Sequence, residues 1–253
     1  MDILKHLILA FVQGVTELLP ISSSAHLLIS SELLEFDTTT YFLTTLHLGT
    51  TIALILYFSK VLFKDILTKA KMSFYLKILV SSLPIGIIGL LFQSFIEERL
   101  RAPIFLSISL ILWGVVMIIL EKNKKNVAET NVEEVTLRES IIMGIAQSLA
   151  LIPGTSRSGI TTITGMMLGL NKFTALQYSF LLGLPVLIGA SGYELIKEAS
   201  ITSFGIEEIL GIITAGVVGY LSMILLQRFK KTNWLTVFGT YRIILGVLLI
   251  ILL

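Results

Sequence analysis

The sequence predicts an all-α, polytopic membrane protein with six transmembrane helices and two re-entrant helical hairpins in an inverted-topology repeat. Three observations carry that prediction. Of the 253 residues, 55% are hydrophobic and only 14% charged, and mean hydropathy is +0.91; a soluble domain of this length needs a far more charged surface. The charges are also clustered, leaving six runs near the length of about 20 apolar residues that crosses a bilayer. Finally, two further apolar regions are each interrupted by a proline and an ionisable residue, at corresponding places in the two halves of the chain.

The elements follow in chain order. Residues 4–34 are apolar but broken by Glu17, Pro20, a serine run and His26. A straight helix through that break would lose backbone hydrogen bonds, so two short arms in a hairpin, with the break held inside protein, fit better. Spans follow at about 40–58, 78–95 and 103–120. The stretch 121–139 is polar and too short to bury a core of its own. Residues 140–170 form the second broken region, interrupted by Pro153, Gly154 and Arg157, and spans at about 174–193, 209–226 and 234–253 complete the chain. The result is one membrane domain over 1–253, with repeats of about 1–120 and 138–253. The first run does not read as a cleavable signal, because Glu17 and Pro20 interrupt it. With no cysteine, neither a disulfide framework nor a thiolate metal site is possible.

Lys and Arg set the orientation. Lys60, Lys64, Lys69, Lys71 and Lys77 lie between the first two spans. Lys122, Lys124, Lys125 and Arg138 follow the third, and Arg228, Lys230 and Lys231 precede the sixth. The alternate loops offer Arg99 and Arg101, beside Glu97 and Glu98, and Lys197. The rich loops are therefore expected in the cytoplasm. Both termini are then outside, and the two hairpins enter from opposite faces. Aligning Pro20 with Pro153 sets Ser23 against Ser156, and paired interruptions of this kind point to a binding site near the midplane.

Ionisable groups within apolar segments are costly and mark function by default. Glu17, His26 and Arg157 stand at the breaks. Gln13 and Glu17 share one helical face, as do Ser23 with His26 and Arg157 with Thr161 and Thr164. Ser22 is suited to cap the second arm. Two helix N-termini converging near Ser22 and Ser156 would attract phosphate, and Arg157 adds a planar fork for its oxygens. Glu17 could hold a divalent cation or orient His26. His26 is the group suited to move a proton near neutral pH, and a serine beside it could attack phosphorus. A purely structural use of these groups is the competing reading: hydroxyls bonded to their own helices, and a Glu17–Arg157 ion pair. His6 and His47 are read as structural.

The segment Gln13-Gly-Val-Thr-Glu17-Leu-Leu-Pro20-Ile-Ser-Ser-Ser-Ala-His26 resembles the (Glu/Gln)-x-x-x-Glu region of the undecaprenyl-diphosphatases, the bacitracin-resistance family. Pro153-Gly-Thr-Ser-Arg-Ser-Gly-Ile-Thr161 resembles that family's Pro-Gly-x-Ser-Arg-Ser-x-x-Thr motif, and Leu46-His-Leu-Gly49, Ser179-Phe-Leu-Leu182 and Tyr241-Arg242 extend the likeness over nearly the whole chain. The resemblance implies a phosphatase that removes one phosphate from a C55 polyprenyl diphosphate, supported by Mg²⁺ or Ca²⁺. It also implies an active site open to the extracytoplasmic side of the plasma membrane. Carried over by position, Ser23, His26, Glu17 and Arg157 become the catalytic set, with Glu17 also the metal ligand. Gln13, Ser22, Ser156, Ser158 and Thr161 become substrate contacts. Gln13 stands where many members carry an acid, which shifts metal binding onto Glu17; Ser24-Ala25 stands where Thr-Gly is frequent. The expected partners are the lipid substrate and membrane lipid, with no nucleic acid. A homodimer through glycine-rich faces, attack by Ser22 or by water, and a transporter of the same lipid phosphate all remain open.

Overall fold

The computed structural model describes residues 2–36, 39–92, 95–100, 102–123, 127–198, 205–230 and 232–252. Among the charges that orient the chain, Arg101, Lys124, Lys125 and Lys231 lie outside the described residues, as does the last residue of the final run. The fold is all-helical among the described residues: α1 Asp2–Leu18, α2 Ser23–Leu33, α3 Thr40–Tyr57, a short α4 Ser59–Phe63, α5 Lys69–Leu91, α6 Pro103–Lys122, α7 Leu137–Gln147, α8 Arg157–Met167, α9 Lys172–Glu198, α10 Ile206–Arg228 and α11 Trp234–Leu252. Five of these, α5, α6, α9, α10 and α11, are long and apolar enough to cross a membrane; α3 is apolar but shorter. Their outer faces carry leucine, isoleucine and phenylalanine in the open, the surface a lipid environment stabilises.

Both broken regions are pairs of helices that double back. Lys5 Nζ on the first turns of α1 donates to the carbonyl of Leu34 beyond the end of α2 at 2.7 Å. In the second pair, Gly165 near the end of α8 faces Met143 in the middle of α7. The breaks are alike in detail. The residue before α2, Ser22, has φ 75°, and the residue before α8, Ser156, has φ 70°. Each following helix has 11 residues. Each also ends on the same bond pattern: Leu34, Glu35 and Phe36 N–H bond back to Ser30, Glu32 and Ser31, while Leu168, Gly169 and Leu170 bond back to Thr164, Met166 and Gly165. That constant offset carries Ser22 onto Ser156 and Ser23 onto Arg157. The alignment of the two prolines, which set Ser23 against Ser156, is therefore one residue out. Only Ile21 separates Pro20 from its cap, whereas Gly154 and Thr155 separate Pro153 from its own.

Packing exchanges partners between the halves. α1 and α3 pack on α10, whereas α7 and α9 pack on α5; α6 lies against α11, and α3 against α9. Close backbone approach makes the first two possible. A Cβ on Gly144 of α7 would lie 1.9 Å from the Ser81 carbonyl oxygen of α5, and one on Gly14 of α1 would lie 2.9 Å from that of Ala215 on α10. The Lys-rich ends are joined by charge. Buried Lys71 bonds Glu133 and the Val61 carbonyl. Buried Glu121 accepts from Lys172 at 2.8 Å and from the Leu235 N–H at the start of α11 at 3.0 Å. The polar stretch after α6 thus folds back onto the bundle, with Val132 and Val135 buried.

Candidate active site

The two breaks meet at one carboxylate. Glu17 lies on the last turn of α1, with Gln13 one turn earlier on the same face; Gln13 is fully buried and Glu17 nearly so. Because the chain turns sharply at Leu19–Ser22, the first residue of α2 comes back over the end of α1. Ser23 Oγ donates to Glu17 Oε2 at 2.6 Å. Gln13 Nε2 donates to the same oxygen at 3.3 Å. From the other half, Arg157, the first residue of α8, donates from Nη2 to Glu17 Oε1 at 3.1 Å. Residues equivalent by fold, Ser23 and Arg157, thus bind opposite oxygens of one carboxylate.

Two details point outward from this cluster. Arg157 Nη1 is buried without a hydrogen-bond partner, and an unmatched buried donor on a cation costs energy until an acceptor arrives. The guanidinium also occupies space that only glycine leaves free: a Cβ on Gly183 of α9 would fall 1.3 Å from Nη1. Ser23 and Arg157 are themselves the first residues of α2 and α8, so the cluster is built from the positive ends of two helices.

The remaining predicted residues divide by location. His26 does not meet Ser23, the partner expected of it. Its Nδ1 is 2.7 Å from the Ser22 carbonyl oxygen and its Nε2 2.6 Å from the Tyr241 hydroxyl. A carbonyl only accepts, so Nδ1 carries a proton, and Nε2 is paired with the Tyr241 hydroxyl. Ser22 Oγ pairs with Ser24 Oγ at 3.1 Å instead of capping α2. Ser156 Oγ does cap its helix, accepting from the Gly159 N–H at 3.2 Å. Ser158 and Thr161 are buried and bonded within the protein: Ser158 Oγ reaches the Leu19 carbonyl at 3.4 Å, and Thr161 Oγ1 bonds the Arg157 carbonyl and Ser179 on α9. They brace the second break against its neighbours.

Three residues without an assigned role in the sequence also belong here. His47, read as structural, holds its Nε2 3.6 Å from Glu17 Oε2 while its Nδ1 bonds the Leu43 carbonyl. The rule that flagged Glu17 and His26, an ionisable group within an apolar run, applied equally to it. Tyr241 meets His26. Arg242 is wholly buried and donates to the carbonyls of Pro20 at 3.1 Å, Gly154 at 2.6 Å, Thr155 at 3.1 Å and Ser109 at 3.5 Å. With one carboxylate and two guanidiniums, the region is net positive and suits an anion.

A divalent cation finds limited but usable donors. Among the described residues no cluster of three His, Cys, Asp or Glu exists, and Arg157 and Ser23 already engage Glu17. Yet Gln13 Oε1 is buried without a partner beside that carboxylate. One carboxylate and one amide oxygen match an ion that completes its shell with substrate phosphates and water.

Residues 6–248 match the family model described as bacitracin resistance protein BacA. The chain is 40% identical to a protein of Enterococcus faecalis named undecaprenyl-diphosphatase, over 97% of this chain and 95% of that one. It is 36% identical to undecaprenyl-diphosphatase 2 of Pseudoalteromonas translucida, over 99% and 98%, and 37% identical to the undecaprenyl-diphosphatase of Geotalea daltonii, over 99% and 98%. A full-length match, joined to the convergence of both motifs on Glu17, leads to one assignment: the chain belongs to the bacitracin resistance protein BacA family.

Proposed function

We propose that this protein hydrolyses undecaprenyl diphosphate to the monophosphate and inorganic phosphate, returning the carrier lipid to cell-envelope glycan synthesis and conferring bacitracin resistance. Family membership and the activity for which its relatives are named support this. The observation that carries it to the residues is the pairing of Ser23 and Arg157 on Glu17, with Arg157 Nη1 buried and unmatched.

In this reading Arg157 and the first amides of α2 and α8 bind the terminal phosphate. Ser23 Oγ attacks the terminal phosphorus and Glu17 Oε2, 2.6 Å away, takes its proton. The Oγ–P bond forms as the bridging P–O bond breaks, and the electron pair leaves with the prenyl monophosphate. Water then attacks the phosphoserine, the Oγ–P bond breaks and phosphate leaves, with His26 Nε2, once exchanged from Tyr241, the group suited to take the water proton. Ser22 is the reserve nucleophile, and direct attack by water is the uncovalent form of the same chemistry. Glu17 and Gln13 would hold Mg²⁺ or Ca²⁺, which when bound neutralises charge on the diphosphate.

The proposed topology has six spans, with α3 the shortest, and the pairs α1–α2 and α7–α8 as re-entrant hairpins of an inverted repeat. The matched Ser22 and Ser156 breaks and the exchange of packing partners support it. Glu17 lies about 18 Å along α1 from Lys5 at 1.5 Å per residue, a depth suited to the middle of a bilayer whose core is about 30 Å thick. The site then opens to the extracytoplasmic face, and the prenyl chain leaves sideways into lipid.

Broken helices at midplane are also the architecture of carriers, so a lipid-phosphate transporter is the second reading. Purified protein in detergent separates the two. Phosphate release from C55 diphosphate, lowered by chelator, is the result expected of a phosphatase; a carrier alone releases none.

A further inference from the structure

Arg242 is a buried cation that no carboxylate partners among the described residues. The two terminal nitrogens of its guanidinium bond main-chain carbonyls instead: Pro20 of the first break, Gly154 and Thr155 of the second, and Ser109 of α6. Both breaks contain a serine in the left-handed region, Ser22 at φ 75° and Ser156 at φ 70°. Backbone of that kind persists only where its surroundings over-determine it. One guanidinium supplies that constraint to both sides, because the Pro20 carbonyl lies two residues before Ser22 and the Thr155 carbonyl immediately before Ser156. The carbonyl of one residue and the N–H of the next point in opposite directions across a trans peptide. Turning the Thr155 carbonyl to Arg242 therefore turns the Ser156 N–H away from it, ahead of α8.

From this we infer that Arg242 is a positioning residue for the hydrolysis: it ties the two breaks together and so sets Ser23 and Arg157 in register on Glu17. The inference rests on the phosphatase reading above and adds to it a residue that does not touch the reacting atoms. A planar fork with several donors can hold carbonyls of three segments at once, whereas an ammonium concentrates its donors on one nitrogen. Lysine at 242 would keep the charge and lose the register. Misplacement by about 1 Å costs on the order of 100-fold in rate, whereas ground-state binding of the substrate does not depend on that alignment.

The experiment is a double-mutant cycle with Arg242→Lys and Arg157→Lys, reading kcat and KM for phosphate release from C55 polyprenyl diphosphate in detergent, with thermal unfolding measured on each variant. Arg242→Lys is expected to lower kcat by 10–100-fold with KM within about threefold of wild type. In the Arg157→Lys background the same change is expected to cost less than about threefold, because the group it positions is already altered. A multiplicative loss in the double variant, or a wild-type kcat in Arg242→Lys, overturns the inference. Arg242→Gln serves if the lysine variant does not fold, and failure of both to fold assigns Arg242 to folding alone and also overturns it. A wild type that releases no phosphate is a different failure: it removes the phosphatase reading, and this inference falls with it.

Discussion

Gly183 shows most directly how a single residue sets the chemistry. Its missing side chain is the space that the Arg157 guanidinium fills. The obstruction in Gly183→Ala is the flexible end of a side chain, so the helix persists and the guanidinium moves. We expect a stable protein whose phosphate release falls about 100-fold; a variant with wild-type turnover would show that Arg157 does not work from this position. Gln13 offers a second test. Its unmatched Oε1 beside Glu17 makes Gln13→Glu a second carboxylate at the same place, and titration of the purified variant with Mg²⁺ is expected to show tighter binding than wild type. Unchanged affinity would remove Gln13 and Glu17 as the metal donors. At this scale the sequence pointed to Glu17 and Arg157, ionisable groups at breaks in apolar runs, which the fold brings together, but not to His47, which lies in an unbroken run. It was not legible for Gly183 or Arg242, whose roles depend on segments 26 and 222 positions away, nor for the Ser23 partner, which the turn at Pro20 makes Glu17 and not His26.

Among the elements, the informative ones are the two short helices that begin at the breaks. Proline and polar residues in apolar runs made both breaks readable, because a continuous helix there would leave backbone groups unpaired. Their register was not readable, since the extra residue between Pro153 and Ser156 changes only the path of a loop. The caps differ in a way that stability can test. Ser156 Oγ accepts the Gly159 N–H, whereas Ser22 makes no such bond. Ser156→Ala is expected to destabilise by about 1 kcal/mol through loss of the cap, and Ser22→Ala by much less. Ser22→Gly, relieving a positive φ, is expected to raise the unfolding midpoint. Equal losses for the two alanine variants would contradict this account of the breaks.

For the whole molecule, composition already decided the solvent, and the charge clusters gave a sidedness that the fold makes testable. With no native cysteine, single cysteines report topology without background. Glu32 near the end of α2 and Lys64 after α4 are both exposed. In intact cells an impermeant maleimide is expected to label Glu32→Cys and to spare Lys64→Cys until the membrane is opened; the reverse pattern would invert the proposed orientation. What composition could not give was the exchange of partners, in which each hairpin packs on a long helix of the other half and so brings residues 17, 23 and 157 together. Single-turnover phosphate release from C55 diphosphate by Ser23→Ala and Arg157→Ala, one residue from each break, tests that convergence most directly. Loss of at least about 1,000-fold in each folded variant is the predicted result, and near-wild-type release by either would contradict a site built from both breaks.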